Sequence, residues 1–118
     1  MSLEEAIARF REAAIEKGDY AEPASRDKEL HAELSAAWRA LWGRGEVGQK
    51  AFKALLTDDS RHVRCWVASQ LLAGGDESGS HVLQVDVAEG GLQGFASAMV
   101  LKEWKAGRLG FPLGSMDA

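Results

Sequence analysis

Apolar residues in this chain recur every three or four positions in short blocks, and most blocks end at glycine. That pattern restricts the chain to short helices joined by tight links. A 3.6-residue period puts such residues on one helix face, and glycine is the usual punctuation after the last turn. Leu3, Ile7, Phe10 and Ala14 make the first stripe, which Gly18 can end, and Ser2 and Glu5 have the spacing of a capping box. Glu5 and Arg9 stand four apart in the stabilising order. Beyond Pro23, the residues Leu30, Leu34, Trp38, Leu41 and Trp42 predict a second helix from Ser25 or Asp27 to Trp42, broken by Gly43 and Gly45. A third, over 46–56, carries Val47, Ala51, Phe52, Leu55 and Leu56, and the run Thr57-Asp58-Asp59-Ser60 offers a turn and a new cap.

The fourth predicted helix, 61–72, turns Val63, Trp66, Val67 and Leu71 inward and closes at Gly74 and Gly75. A fifth, over 78–89, has Val82, Leu83, Val85 and Val87 as apolar members. The alternation around Val85 and Val87 also suits a short strand, but a lone strand in a helical protein lacks a ladder partner, so a helix is expected. Gly90 and Gly91 lead into a sixth helix, 92–106, with Phe95, Ala96, Met99, Val100 and Trp104, stopped by Gly107, Gly110 and Pro112. The glycines, on this reading, fall where helices end. The sequence predicts an all-α domain over residues 1–109, followed by a loose tail over 110–118. Six helices with short links imply three antiparallel hairpins, which must stack because none can bury both its faces alone.

At 118 residues, with 46 % hydrophobic and 27 % charged side chains, the chain has the balance of a folded domain and enough length for one core. No apolar run reaches the roughly 20 residues of a membrane helix. The acidic start, Met1-Ser2-Leu3-Glu4-Glu5, lacks the basic and apolar blocks of a secretory signal, so a cytoplasmic location is expected. One cysteine, Cys65, excludes a disulfide within the chain and a cysteine-based zinc site. A net charge of -4 is the wrong sign for affinity through phosphate neutralisation, which argues against a nucleic-acid partner.

The segment from Leu55 to Leu72 resembles the turn and second helix of a HEAT repeat. It has paired leucines, then Asp58 in the turn, then Val63-Arg64 before the apolar stretch with Ala68 and Leu71. Small Ala68 would let helices approach, while Asp58 and Arg64 can satisfy turn amides and carbonyls or pair between repeats. From Phe52 to Leu109, ending in Leu101-Lys102-Glu103-Trp104-Lys105-Ala106-Gly107, the chain is similar to a family of short bacterial proteins of unknown function with HEAT-like repeats. The resemblance implies stacked hairpins and a binding role, and supplies no catalytic residues.

The residues themselves assemble no catalytic, cofactor or metal motif: no Walker loop, Gly-x-Gly-x-x-Gly, His-Glu-x-x-His or nucleophile elbow is present. His62 and Cys65 stand three apart but lack further ligands, and His31 and His81 lie in other segments. Trp38, Trp42, Trp66 and Trp104 each fit an apolar stripe without an accompanying basic track, so core packing is expected of all four. From helical phase, the outward positions are Glu29, Glu33 and Ala36 on the second helix, Arg61, Arg64, Cys65 and Ser69 on the fourth, and Ser97 and Lys102 on the sixth. These residues are the expected partner-binding surface of a non-enzymatic protein-binding module, whose most concrete form is an immunity protein that neutralises a bacterial toxin. Two alternatives from other classes are a nucleic-acid-processing protein of the DNA glycosylase kind and an adaptor that pairs with a second copy of itself.

Overall fold

The computed structural model describes residues 1–19 and 24–115, and all regular structure among them is helical. The helices are α1 (Leu3–Asp19), α2 (Ala24–Trp42), α3 (Glu46–Ala54), α4 (Arg61–Ala73), α5 (Ser78–Glu89) and α6 (Gly91–Lys105), with a 3-10 turn at Leu55–Thr57. The segment around Val85 and Val87 is therefore helical, as expected. α1 runs through Gly18, and Pro23 lies outside the described residues. No helix among the described residues is long and apolar enough to cross a membrane.

The chain falls into two units, Met1–Leu55 with the residues from Leu113 onward, and Leu56–Pro112. The helices thus group as α1–α3 and α4–α6. The boundary cuts through the Leu55–Leu72 segment that the HEAT resemblance treats as one piece.

In the first unit the capping box forms as the sequence requires. Glu5 N–H donates to Ser2 Oγ at 3.1 Å and Ser2 N–H to Glu5 Oε1 at 3.4 Å. Ala6, Phe10, Ala13 and Ala14 of α1 are buried, as are Leu30, Leu34, Ala37, Trp38 and Leu41 of α2 and Phe52 of α3. Aromatic rings link the three helices: Phe10 meets Phe52 edge-on at 5.3 Å, Trp42 meets Phe52 edge-on at 6.0 Å, and Trp38 stacks on Trp42 at 6.2 Å. The α1/α2 pair is fixed at its connected end by Arg26, which forks onto Glu16 at 2.6 and 3.0 Å, and by Lys17 on Asp27 at 2.7 Å. Val47, expected on the apolar face of α3, is 65 % exposed. Leu113, in the segment expected to be a loose tail, is buried.

In the second unit Ser60 caps α4 by accepting from Val63 N–H at 3.5 Å. Asp58 Oδ2 accepts from Ser60 N–H at 3.0 Å, and Arg64 Nη1 donates to the carbonyls of Asp58 at 2.7 Å and Asp59 at 3.0 Å. Asp58 and Arg64 thus take the first of their two expected roles, satisfying the turn, and Arg64 is committed to it. Cys65, Ala68 and Leu72 of α4, Leu83 of α5 and Leu101 of α6 form the core, with Leu56, Val82, Val100, Trp104 and Leu109 packed against it.

Not all glycines mark helix ends. Gly48 and Gly79 lie inside helices and are buried; a Cβ on Gly48 would overlap the Leu41 carbonyl, and one on Gly79 would overlap that of Ala68. They allow α3 to lie directly on α2, and α5 on α4, at distances that any side chain would forbid.

Candidate functional site

The sequence of α6 is apolar nearly all the way round, so periodicity alone does not fix its buried face. Gly94, Ser97 and Leu101 face inward. At Gly94 an added Cβ would come within 3.0 Å of the Asp86 carbonyl and 3.2 Å of that of Val87, so the helix sits close on α5 along its small residues. Three large side chains are left outside: Leu92 is 90 % exposed, Phe95 68 % and Met99 41 %. Phe95 and Met99 were expected to be core residues, and Val85 and Val87 of α5, also exposed, were expected to be buried with them. Close packing on small residues reverses both assignments.

Beneath α6 lies a polar cluster that joins all three helices of the unit. Asp86 of α5 is 4 % exposed and accepts from Arg61 Nε of α4 at 2.7 Å and from Ser97 Oγ of α6 at 2.6 Å. Arg61 also donates to the Gly90 carbonyl at 3.2 Å and has Glu89 at 3.5 Å, so it ties the start of α4 to the end of α5. Ser97 Oγ stands 3.7 Å from Cys65 Sγ. The single hydroxyl proton is committed to the carboxylate at the shorter distance, which leaves the Cys65 thiol to donate into the cluster. Burial alone would raise the pKa of Asp86; the hydrogen bonds from Arg61, Ser97 and Cys65 and the charge of Arg61 outweigh it, and the carboxyl is held below its ordinary value. Cys65 moves the other way. Burial pushes its thiol up, its contacts with Ser97 and Gln93 oppose the rise, and the Asp86 charge adds to it. A thiol held protonated in this way is a poor nucleophile.

Two depressions flank α6. On the α4 side, Cys65, Trp66, Ser69, Ala96, Ser97 and Val100 line a pocket of about 300 Å³, with Gln93 and Pro112 at its edge. On the α5 side, Val87, Ala98 and Leu101 line a shallower groove of about 470 Å³ that Gln84, Lys102 and Lys105 border. Trp66 is half-buried in the pocket wall, and Trp104 is half-buried against the core, so neither is a fully enclosed core residue as Trp38 is.

Of the nine outward positions expected from helical phase, Cys65, Ser69 and Ser97 are buried, which corrects that expectation. α4 is covered on most of its circumference, so its phase offered no outward stripe at Cys65 and Ser69. Arg61 and Cys65 are brought together through Asp86 and Ser97. Arg64 is bound to its own turn, and Lys102 is exposed at the groove. Glu29, Glu33 and Ala36 are exposed on α2 in the first unit, where Glu29 accepts from Arg26 at 3.1 Å. Sequence reasoning missed Asp86 and Leu92. Asp86 had a usable signal, a solitary carboxylate among Val82, Leu83, Val85 and Val87, since a charge at that place must find a partner if it is enclosed.

Among the described residues no three His, Cys, Asp or Glu side chains stand close enough to hold a metal ion. No family model, no curated protein and no solved structure matches the chain.

Proposed function

We propose that this chain is a protein-binding module whose contact surface is the outer face of α6. One observation carries the reading: Leu92, Phe95 and Met99, spaced three and four apart on one helix, are 90 %, 68 % and 41 % exposed while Gly94, Ser97 and Leu101 of the same helix are buried. Scattered apolar residues are ordinary on a surface, but a contiguous strip of large ones is typical of an interaction site. Phe and Met are among the residue types enriched at the centre of interfaces.

The surroundings supply what such a strip needs. The polar cluster of Arg61, Asp86 and Ser97 ties α6 to α4 and α5, so the strip rides on a fixed helix and binding orders little backbone. The adjoining pocket walled by Trp66, Ala96 and Val100 has room for an anchoring side chain from a partner. A HEAT-like arrangement of hairpins is part of this proposal, supported by the Asp58 and Arg64 turn contacts.

The test compares tagged wild-type chain with the double variant Leu92→Ser/Phe95→Ser, after their unfolding curves have been matched, for the proteins each retains from the native cell. A protein held in stoichiometric amount by the wild type and lost from the variant is the expected result. Equal retention by both would overturn the assignment of the surface. Sedimentation at several concentrations separates one special case, since a mass that doubles in the wild type and not in the variant identifies the partner as a second copy.

A further inference from the structure

Resting on that reading, we propose that the partner is an acidic amphipathic helix laid along the groove between α5 and α6, with its carboxylates on Lys102 and Lys105. Val87, Ala98 and Leu101 give the groove an apolar lining, and its volume of about 470 Å³ suits a row of side chains better than a single one. The two lysines stand three apart on α6 at its border, both exposed. Residues at that spacing lie about 5–6 Å apart on one helix face. Two carboxylates one turn apart on a partner helix have the same separation, so the charges can meet in register.

The sign of the partner's charge follows from what already occupies the nearby groups. Glu103, the acidic residue between the two lysines, is held by Arg108 at 3.0 and 3.3 Å. That pair leaves the lysines as the charges that border the groove. Phe95 stands two helical turns before Lys102 and shares its flank of α6, so the exposed strip continues into the groove and gives the partner's apolar face a longer track. A basic partner would meet two like charges on entry, at a cost in both encounter rate and affinity.

The probes are two fluorescein-labelled designed helices with leucines at positions i, i+3 and i+7, one flanked by glutamates and the other by lysines, read by fluorescence anisotropy on the full chain. The glutamate helix is expected to bind, more weakly as salt is raised, and the lysine helix not to bind. Lys102→Glu/Lys105→Glu is expected to weaken the glutamate helix about tenfold and to admit the lysine helix. Equal binding of both helices to the wild type would overturn the proposal, as would indifference to the charge reversal. A glutamate peptide of the same composition in non-amphipathic order is the third probe, and its binding as tightly as the helix would reduce the effect to bulk charge and overturn it too. The two readings fail separately. Binding that is lost in Leu92→Ser/Phe95→Ser but unchanged by charge reversal keeps the α6 surface and rejects the acidic partner.

Discussion

Asp86 and Arg61 form an ion pair with unequal ends, and that inequality makes a sharp prediction. Asp86 is 4 % exposed, whereas the Arg61 side chain keeps 29 % of its surface in solvent and has Glu89 at 3.5 Å as a second partner. Removing Arg61 strands a carboxylate that burial disfavours, and breaking a buried pair in that way costs about 3–5 kcal/mol. Arg61→Met is therefore expected to lose about 3–4 kcal/mol in urea unfolding at pH 7, the upper part of the range being tempered by the remaining bond from Ser97. Asp86→Asn leaves a guanidinium that can turn to water, Glu89 and the Gly90 carbonyl, and keeps an acceptor for Ser97, so about 1–2 kcal/mol is expected. In the double variant the stranded charge is gone, and the loss should be about 2 kcal/mol, well below the sum of the two. The pH dependence carries the sign. The wild-type carboxyl has a lowered pKa, so its contribution is complete above its unfolded value of about 3.9 and is lost as pH falls through the folded value. Without Arg61 two of the influences that lower this pKa are gone and burial is less opposed, so the carboxyl titrates higher than in the wild type. The penalty in Arg61→Met is then full well above the variant's pKa and fades as pH falls through it, so its deficit against wild type should shrink on acidification. A larger loss from Asp86→Asn than from Arg61→Met, or strict additivity in the double variant, would refute the reasoning.

Other variants test the packing and the cap. Gly79→Ala gains about 1 kcal/mol of helix propensity, yet its Cβ would overlap the Ala68 carbonyl, and backbone cannot yield as a side-chain tip can. A net loss of about 2 kcal/mol in urea unfolding is expected, and any gain would show that α5 does not lie directly on α4. Ser60→Ala removes a cap whose bond is long at 3.5 Å, so thermal melting should report a loss at the low end of capping effects, about 0.5–1 kcal/mol. Cys65 is 6 % exposed with its thiol pKa raised, so a disulfide reagent such as Ellman's should react with it at the rate of unfolding and far more slowly than with the denatured chain at pH 8; reaction at the speed of an exposed cysteine would contradict the burial. Leu92→Ser/Phe95→Ser should leave the urea midpoint nearly unchanged, within about 0.5 kcal/mol, because the side chains removed are already in water.

Helix positions were legible in the sequence because their signals are local. The Ser2/Glu5 box, the Ser60 cap and the glycines after Trp42, Ala73 and Glu89 each act within one turn, and the observed helices begin and end within two residues of where those signals fall. α1 is the informative exception, since Gly18 stays helical; glycine permits a stop without enforcing one. The orientation of α5 and α6 was not legible, and the reason is specific. Periodicity locates a buried face only where apolar and polar residues segregate, and in Gly91–Lys105 they do not.

What marks the close contact of α6 with α5 is a different quantity, the small size of residues in the first turns of its buried line. Gly94, Ser97 and Ala98 make such a line, and so does Gly79 against Ala68 on the α4/α5 contact. Packing through Gly94, Ser97 and Leu101 turns Leu92, Phe95 and Met99 away from the core of this unit. The exposure of Leu92, Phe95 and Met99 thus follows from the same close approach that holds the unit together. The solitary carboxylate is linked to it as well: α6 presents Ser97 to Asp86 at 2.6 Å only because Gly94, one turn earlier, lets the two helices come that near. Gly94→Ala should therefore act on both features at once. Its Cβ, 3.0 Å from the Asp86 carbonyl, would lift α6 by a few tenths of an ångström, lengthen the Ser97 bond and loosen the surface that carries Phe95. A loss of about 1–2 kcal/mol in urea unfolding is expected, together with weaker retention of any partner that Phe95 recruits. Stability lost with partner retention intact would separate the packing from the binding surface and break the argument that one geometry sets both.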